Sequence, residues 1–150
     1  MSGYSGTPLA QKLGIRAGSR VYLHKPPQHY VRLVAPLPPG VEMVARLDAA
    51  TDIVHLFALR RAALRAALMR VLGRLRPDGV VWVSWPKKAA GVATDITEDV
   101  IREVALPLAL VDIKVCAVDE VWSGLKLVRR KSSRTAVALA PRSPRRSKPA

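Results

Sequence analysis

The densest group of residues able to do chemistry is Trp85-Pro86-Lys87-Lys88-Ala89-Ala90-Gly91, with Thr94-Asp95 close behind it. Two lysines beside a helix start would make an anion site, because the exposed backbone N–H groups and the positive end of the helix dipole add to their charge. The stretch lacks the glycine spacing of a phosphate loop. Its other reading is a solvated basic turn in which Asp95 caps a helix. A second group, Asp119-Glu120-Val121-Trp122, sets two acids beside a tryptophan. Facing the lysines, these acids would complete a site for a small anionic or zwitterionic ligand, or do acid/base work if burial shifted their pKa values. Equally, they would pair with Lys87 and Lys88 as structural ion pairs.

The remaining reactive side chains read as structural. His24 and Lys25 follow a short apolar run, and His55 lies inside Ile53-Val54-His55-Leu56-Phe57. Ser84 sits in Val83-Ser84-Trp85-Pro86, without the Gly-x-Ser-x-Gly elbow that exposes a hydrolase nucleophile, so no triad is expected. His55 then reads as a hydrogen-bonded core histidine. Cys116, within an apolar stretch, reads as packing. One cysteine and three histidines in 150 residues exclude an internal disulfide and a thiolate zinc cluster, so no metal site is expected. Arg60, Arg61, Arg65, Arg70, Arg74 and Arg76 fall on different flanks of one helical pattern and read as a solvated surface.

These residues are held by alternating apolar runs. Thr7-Pro8 reads as a helix start, with Leu9 and Leu13 on one face and Gly14 as its end. Val21 to Leu23 is a short strand stopped by Pro26-Pro27. Residues 28–40 read as mostly loop. Val41 to Leu47 alternates as an edge strand would, and the nearly all-apolar Ile53 to Leu59 suits a central parallel strand covered on both faces. Leu64, Leu68, Val71, Leu72 and Leu75 give a helix over 60–75, followed by a strand from Val80 to Ser84. Asp95 or Thr97 caps a further helix with Val100, Ile101, Val104 and Leu108 as its apolar face, ended or bent by Pro107. Val111 to Val118 and Gly124 to Arg129 are joined too tightly for a parallel crossover and form an antiparallel hairpin at a sheet edge. The sum is an α/β, Rossmann-like, three-layer and mostly parallel sheet, whose ligands bind beyond the carboxyl ends of the strands.

Charge divides the chain. Its net charge is +14, yet Arg129, Arg130, Lys131, Arg134, Arg142, Arg145, Arg146 and Lys148 crowd one end with no acid among them. The expected organisation is a domain over 1–130 and a disordered basic tail over 131–150. Such a tail would give weak, sequence-independent contact with nucleic acid or an acidic protein. No apolar run nears the roughly 18 residues of a membrane span and no secretory signal opens the chain, so a cytoplasmic protein without membrane contact is expected.

Two resemblances extend this reading. Leu13-Gly14-Ile15-Arg16-Ala17-Gly18-Ser19-Arg20-Val21 and Leu75-Arg76-Pro77-Asp78-Gly79-Val80-Val81-Trp82-Val83 resemble scaffold stretches of class I S-adenosylmethionine-dependent methyltransferases. Their cofactor motif is an acidic, glycine-rich turn after the first strand; here that place reads His24-Lys25-Pro26-Pro27-Gln28-His29. The resemblance thus implies the scaffold, and no cofactor is expected. Gly3-Tyr4-Ser5-Gly6-Thr7-Pro8-Leu9, Trp82 to Lys88, Thr94 to Val100 and Val115 to Lys126 together resemble a small bacterial family whose domain has no assigned function. The expected function is a non-catalytic or regulatory domain that binds a small anionic or zwitterionic ligand. The alternatives are an interaction module acting through the tail and a divergent methyltransferase-like enzyme.

Overall fold

The computed structural model describes residues 7–131. Strands β1 (Arg20–His24), β2 (Glu42–Val44), β3 (Ile53–Phe57), β4 (Val80–Pro86), β5 (Leu110–Ala117) and β6 (Trp122–Arg129) form one sheet in the order β2-β1-β3-β4-β6-β5. The first four run parallel, and β6 lies antiparallel between β4 and β5. Because β6 opposes both neighbours, β5 points the same way as β4. The β5–β6 turn therefore sits at the carboxyl end of the parallel strands.

Every residue of β3 is buried, as a strand covered on both faces requires. Its alternation sorts the core into two layers. Val54 and Leu56 pack with Val81 and Val83 against Leu64, Leu68 and Val71 of α3 (Arg61–Leu72) and Ile101 and Val104 of α4 (Glu98–Ala105). Ile53 and Phe57 pack with Val21 and Trp82 against Leu13 and two helices, α1 (Leu9–Lys12) and α2 (Tyr30–Val34). The three-layer arrangement with its antiparallel hairpin is the one that the apolar runs imply.

Local chemistry shifts several boundaries. Pro8 takes the cap position of α1 with no side-chain capping bond, so Thr7 does not cap it, while Gly14 at φ +80° ends the turn as expected. Helix α2 occupies part of the segment read as mostly loop; five residues are too few to show a helical period, but Tyr30 and Val34 are one turn apart and both are buried. Strand β2 keeps three residues of the longer run from Val41 to Leu47, because the chain turns back across β1 to reach β3. Pro107 lies in a 3-10 turn over Leu106–Leu108 that follows α4.

Helix ends are tied by residues from distant segments. Thr97 Oγ1 caps α4 by accepting from the Val100 N–H at 3.2 Å. Asp95 Oδ1 accepts from the Arg61 N–H at 2.6 Å, so it caps the start of α3 instead. At the other end of α3, the Arg129 guanidinium donates to the carbonyls of Leu72 (3.0 Å), the last helical residue, and Leu75 (2.7 Å), just past it. The Arg130 N–H donates to the Ala109 carbonyl at 2.8 Å. The rest of the basic stretch beyond Lys131 lies outside the described residues. Among those residues no helix is long and apolar enough to cross a membrane.

Replacing Asp95 by Ala should lower the unfolding free energy by about 1 kcal/mol, the usual cost of a lost cap. Urea denaturation measures it. Unchanged stability would show that the Asp95–Arg61 contact does not hold α3.

Candidate functional site

From β1 the chain passes outward to β2, whereas from β3 it passes to β4 on the other side. The carboxyl ends of β1 and β3 thus mark the point where the winding reverses and a crevice opens. A cavity of about 380 Å³ lies there. Phe57, Ala58, Leu59, Ala63 and Trp122 supply apolar walls, and His24, Lys25 and Arg60 supply polar ones. No carboxylate is among the described lining residues.

The walls are set by hydrogen bonds from neighbouring loops. Trp122 meets the Phe57 ring edge to face at 5.0 Å and 88°. Its backbone N–H and that of Val121 both donate to Asp119 Oδ1 at 2.8 Å, while Asp119 Oδ2 meets His29 Nε2 at 3.2 Å. The Lys87 N–H donates to the Val121 carbonyl at 2.7 Å, which locks the hairpin turn onto the end of β4. On the opposite wall the Leu59 carbonyl accepts from Thr94 Oγ1 at 2.6 Å and from the Asp95 N–H at 3.3 Å. The β4–α4 loop therefore holds the β3–α3 loop.

The residues singled out from the sequence thus divide by role. Trp122 lines the cavity. Asp119, Thr94, Asp95 and the Lys87 backbone position its walls. Trp85 is buried in the layer beneath α3 and α4, and Lys88 and Glu120 are exposed on turns. The sequence gives no site role to Phe57, which ends the central strand, or to Leu59, Arg60 and Ala63, which follow it. His24 ends β1 and Lys25 follows it, and the sequence reading places neither in the ligand site. The general rule that ligands sit just beyond strand ends is the signal that could have found them all.

Two features mark the β1 end of the cavity. Arg70 Nη2 donates to His24 Nδ1 at 3.0 Å, which fixes the imidazole proton on Nε2. Burial, with the Arg70 and Lys25 charges added, holds the His24 pKa below its usual value. Lys25 adopts φ +53°, a left-handed backbone that only a small minority of non-glycine residues use. Its strain is of the kind that clusters at ligand sites.

A second set of reactive groups is sealed in the core. Tyr30 Oη lies 2.7 Å from His55 Nδ1, and His55 Nε2 lies 2.8 Å from Ser84 Oγ. All three residues are buried, His55 and Ser84 completely. The Tyr30 and His55 rings meet edge to face at 5.2 Å, and the His55 ring stacks on Phe57 at 4.4 Å. Desolvation pushes the His55 pKa down to about 3 and the Tyr30 pKa well up, so the imidazole and the phenol are both neutral. A serine, histidine and tyrosine in line thus form a satisfied polar chain, none of whose members lines the cavity. Burial likewise raises the Cys116 thiol pKa, which opposes thiolate reactivity. Among the described residues no group of histidines, cysteines and acids could hold a metal ion.

No family profile and no curated protein matches the chain in sequence. Solved structures do match its fold. A protein of Sulfolobus solfataricus assigned as a type 11 methyltransferase superposes with a TM-score of 0.58 at 13% identity, over 82% of this chain and 90% of that one. The B. subtilis tRNA methyltransferase TrmK superposes with a TM-score of 0.51 at 9% identity, over 95% of this chain and 73% of its own. The chain has a methyltransferase-like Rossmann fold. At these identities the likeness extends to the fold alone.

The His55 chain has a pH signature. The unfolded histidine takes up its proton near pH 6.5, the folded one only near 3, so this contribution to stability is complete above 6.5 and is lost as pH falls toward 3. Replacing His55 by Leu should flatten that part of the stability–pH curve in urea titrations. At pH 7 it should cost about 1–3 kcal/mol for each hydroxyl left unpaired. An unchanged pH slope would contradict the assignment.

Proposed function

We propose that this chain is a binding domain that takes a small anionic molecule with a flat or apolar body in the cavity between the ends of β1 and β3. The observation that carries the reading is the asymmetry of the lining. Two aromatic rings and three aliphatic side chains would take up the body, while His24 Nε2–H, Lys25 and Arg60 offer donors and positive charge with no described acid opposing them. A zwitterion fits less well, because its ammonium would meet cations. The sulfonium cofactor of class I methyltransferases meets the same objection, and the turn after β1 has neither the acid nor the glycines that such a cofactor uses.

The methyltransferase-like fold keeps a catalytic alternative in view. Both readings are put to one experiment: thermal-shift and calorimetric titration of the full chain with aromatic carboxylates, nucleoside monophosphates and S-adenosylmethionine. The binding-domain reading expects stabilisation by a member of the anionic classes and none by S-adenosylmethionine. Micromolar binding of S-adenosylmethionine with a methylated product would replace it by the enzyme reading.

Lys25 offers a variant in which binding and folding separate. Replacing Lys25 by Gly relieves the left-handed backbone while freeing the unfolded chain, so stability should change by less than about 1 kcal/mol. The response to the anionic ligand should be lost. A variant that still responds fully would remove Lys25 from the site.

A further inference from the structure

The segment 45–52 returns from β2 to β3 without a helix, so the sheet beside α3 is left partly uncovered. The resulting groove, about 440 Å³, is floored by Tyr22 of β1 and walled by Ala45, Arg46 and Leu47 on one side and by Arg70 of α3 and Arg74 of the turn that follows it on the other. Arg70 lies in the last turn of α3 and Arg74 just past its end, and Arg46 reaches the same groove from a different segment. Along the sequence the arginines of 60–76 scatter and read as solvated surface. The fold brings two of them to a third.

The charge in this groove is uncompensated. Arg20, Arg61, Arg76 and Arg102 each pair with a carboxylate. Arg46 and Arg74 have no such partner among the described residues, and Arg70 donates to the neutral His24 nitrogen. Three guanidiniums gathered in one concavity repel one another, and a multiply charged anion would relieve that repulsion. Guanidinium groups present planar forks of N–H donors that match phosphoryl oxygens in bidentate geometry. The Tyr22 hydroxyl adds a neutral donor at the floor.

We propose that Arg46, Arg70 and Arg74, over Tyr22, form a phosphoryl-binding site for a molecule carrying adjacent phosphates, separate from the cavity between β1 and β3. A diphosphate, with about three negative charges at neutral pH, matches three guanidiniums in number. The same oxygens occur in a free diphosphate and in a polynucleotide backbone, and the affinity of each source can be measured separately. The Arg70–His24 bond joins this groove to the neighbouring cavity, but phosphoryl recognition does not depend on what that cavity holds.

The test is calorimetric titration of the full chain with inorganic pyrophosphate and, in a second arm, with a short single-stranded RNA. Binding should weaken roughly tenfold or more on replacing either Arg46 or Arg74 by Gln, since each loses a charged hydrogen-bonding fork. Neither side chain holds a described structural contact, so both variants should keep the wild-type melting temperature. Arg65, on another flank of α3 and outside the groove, is the control, and Arg65→Gln should leave the affinity unchanged. Pyrophosphate binding should also survive Lys25→Gly, which separates this site from the cavity. Preference for pyrophosphate assigns a free diphosphate as the source, and preference for RNA that is lost with the same arginines assigns a polynucleotide backbone. Failure of both probes to bind, or binding indifferent to Arg46 and Arg74, overturns the proposal.

Discussion

A histidine in the middle of a strand with no solvent on either face must have both ring nitrogens satisfied by the protein. Leaving one unpaired would cost about as much as a typical point mutation removes. His55 meets this condition with one hydroxyl from α2 and one from β4. The bond to Tyr30 gives a five-residue helix a polar anchor as well as an apolar one, and the bond to Ser84 crosses between adjacent parallel strands. Phe57, two residues on, stacks on the same imidazole and then presents its other contacts to Tyr30 and Trp122. The core polar chain and the cavity wall are therefore one continuous assembly, with the cavity at its solvent end.

That assembly is made rigid by bonds between loops. Thr94 and Asp95 bind the backbone of Leu59 and Arg61, Asp119 gathers the N–H groups of Val121 and Trp122, and Lys87 ties the hairpin turn to β4 through its backbone. The loops after β3, β4 and β5 thus hold one another. Arg129 closes carbonyls at and just past the far end of α3. The polar side chains that look most reactive in the sequence are largely consumed in this way, since carboxylates and hydroxyls that satisfy backbone N–H and C=O groups have less capacity left for a ligand.

This explains which parts were legible from residues alone. Strand β3, the long helix α3 and the hairpin follow from apolar runs and spacing, because each is buried over enough residues to show its period. Helix α2 and the shortened β2 do not, because their forms are set by Tyr30 reaching His55 and by the return of the chain across β1. The carboxyl end of the sheet is legible as the place where a crevice opens, and Trp122 lines the cavity found there. The cavity's other walls come from Phe57 to Ala63, where the sequence reads simply as a strand passing into a helix. Asp95 illustrates the same limit: its type fits a helix cap, but only the tertiary arrangement decides that the helix is α3.

The fold also separates scaffold from activity. A sheet that reverses its winding between β1 and β3 produces a crevice whatever residues follow those strands, so the likeness to methyltransferases accounts for the position of the cavity and not for its occupant. Occupancy depends on charge and donors. Here the end of β1 and the turn after it supply a neutral histidine and a left-handed lysine in place of an acid and glycines, and the helix-free return from β2 leaves three arginines around a groove nearby. Both departures add cationic donors without adding a carboxylate among the described lining residues. In the binding reading proposed above, that shared sign is what selects anions at either position, although the two recesses differ in lining.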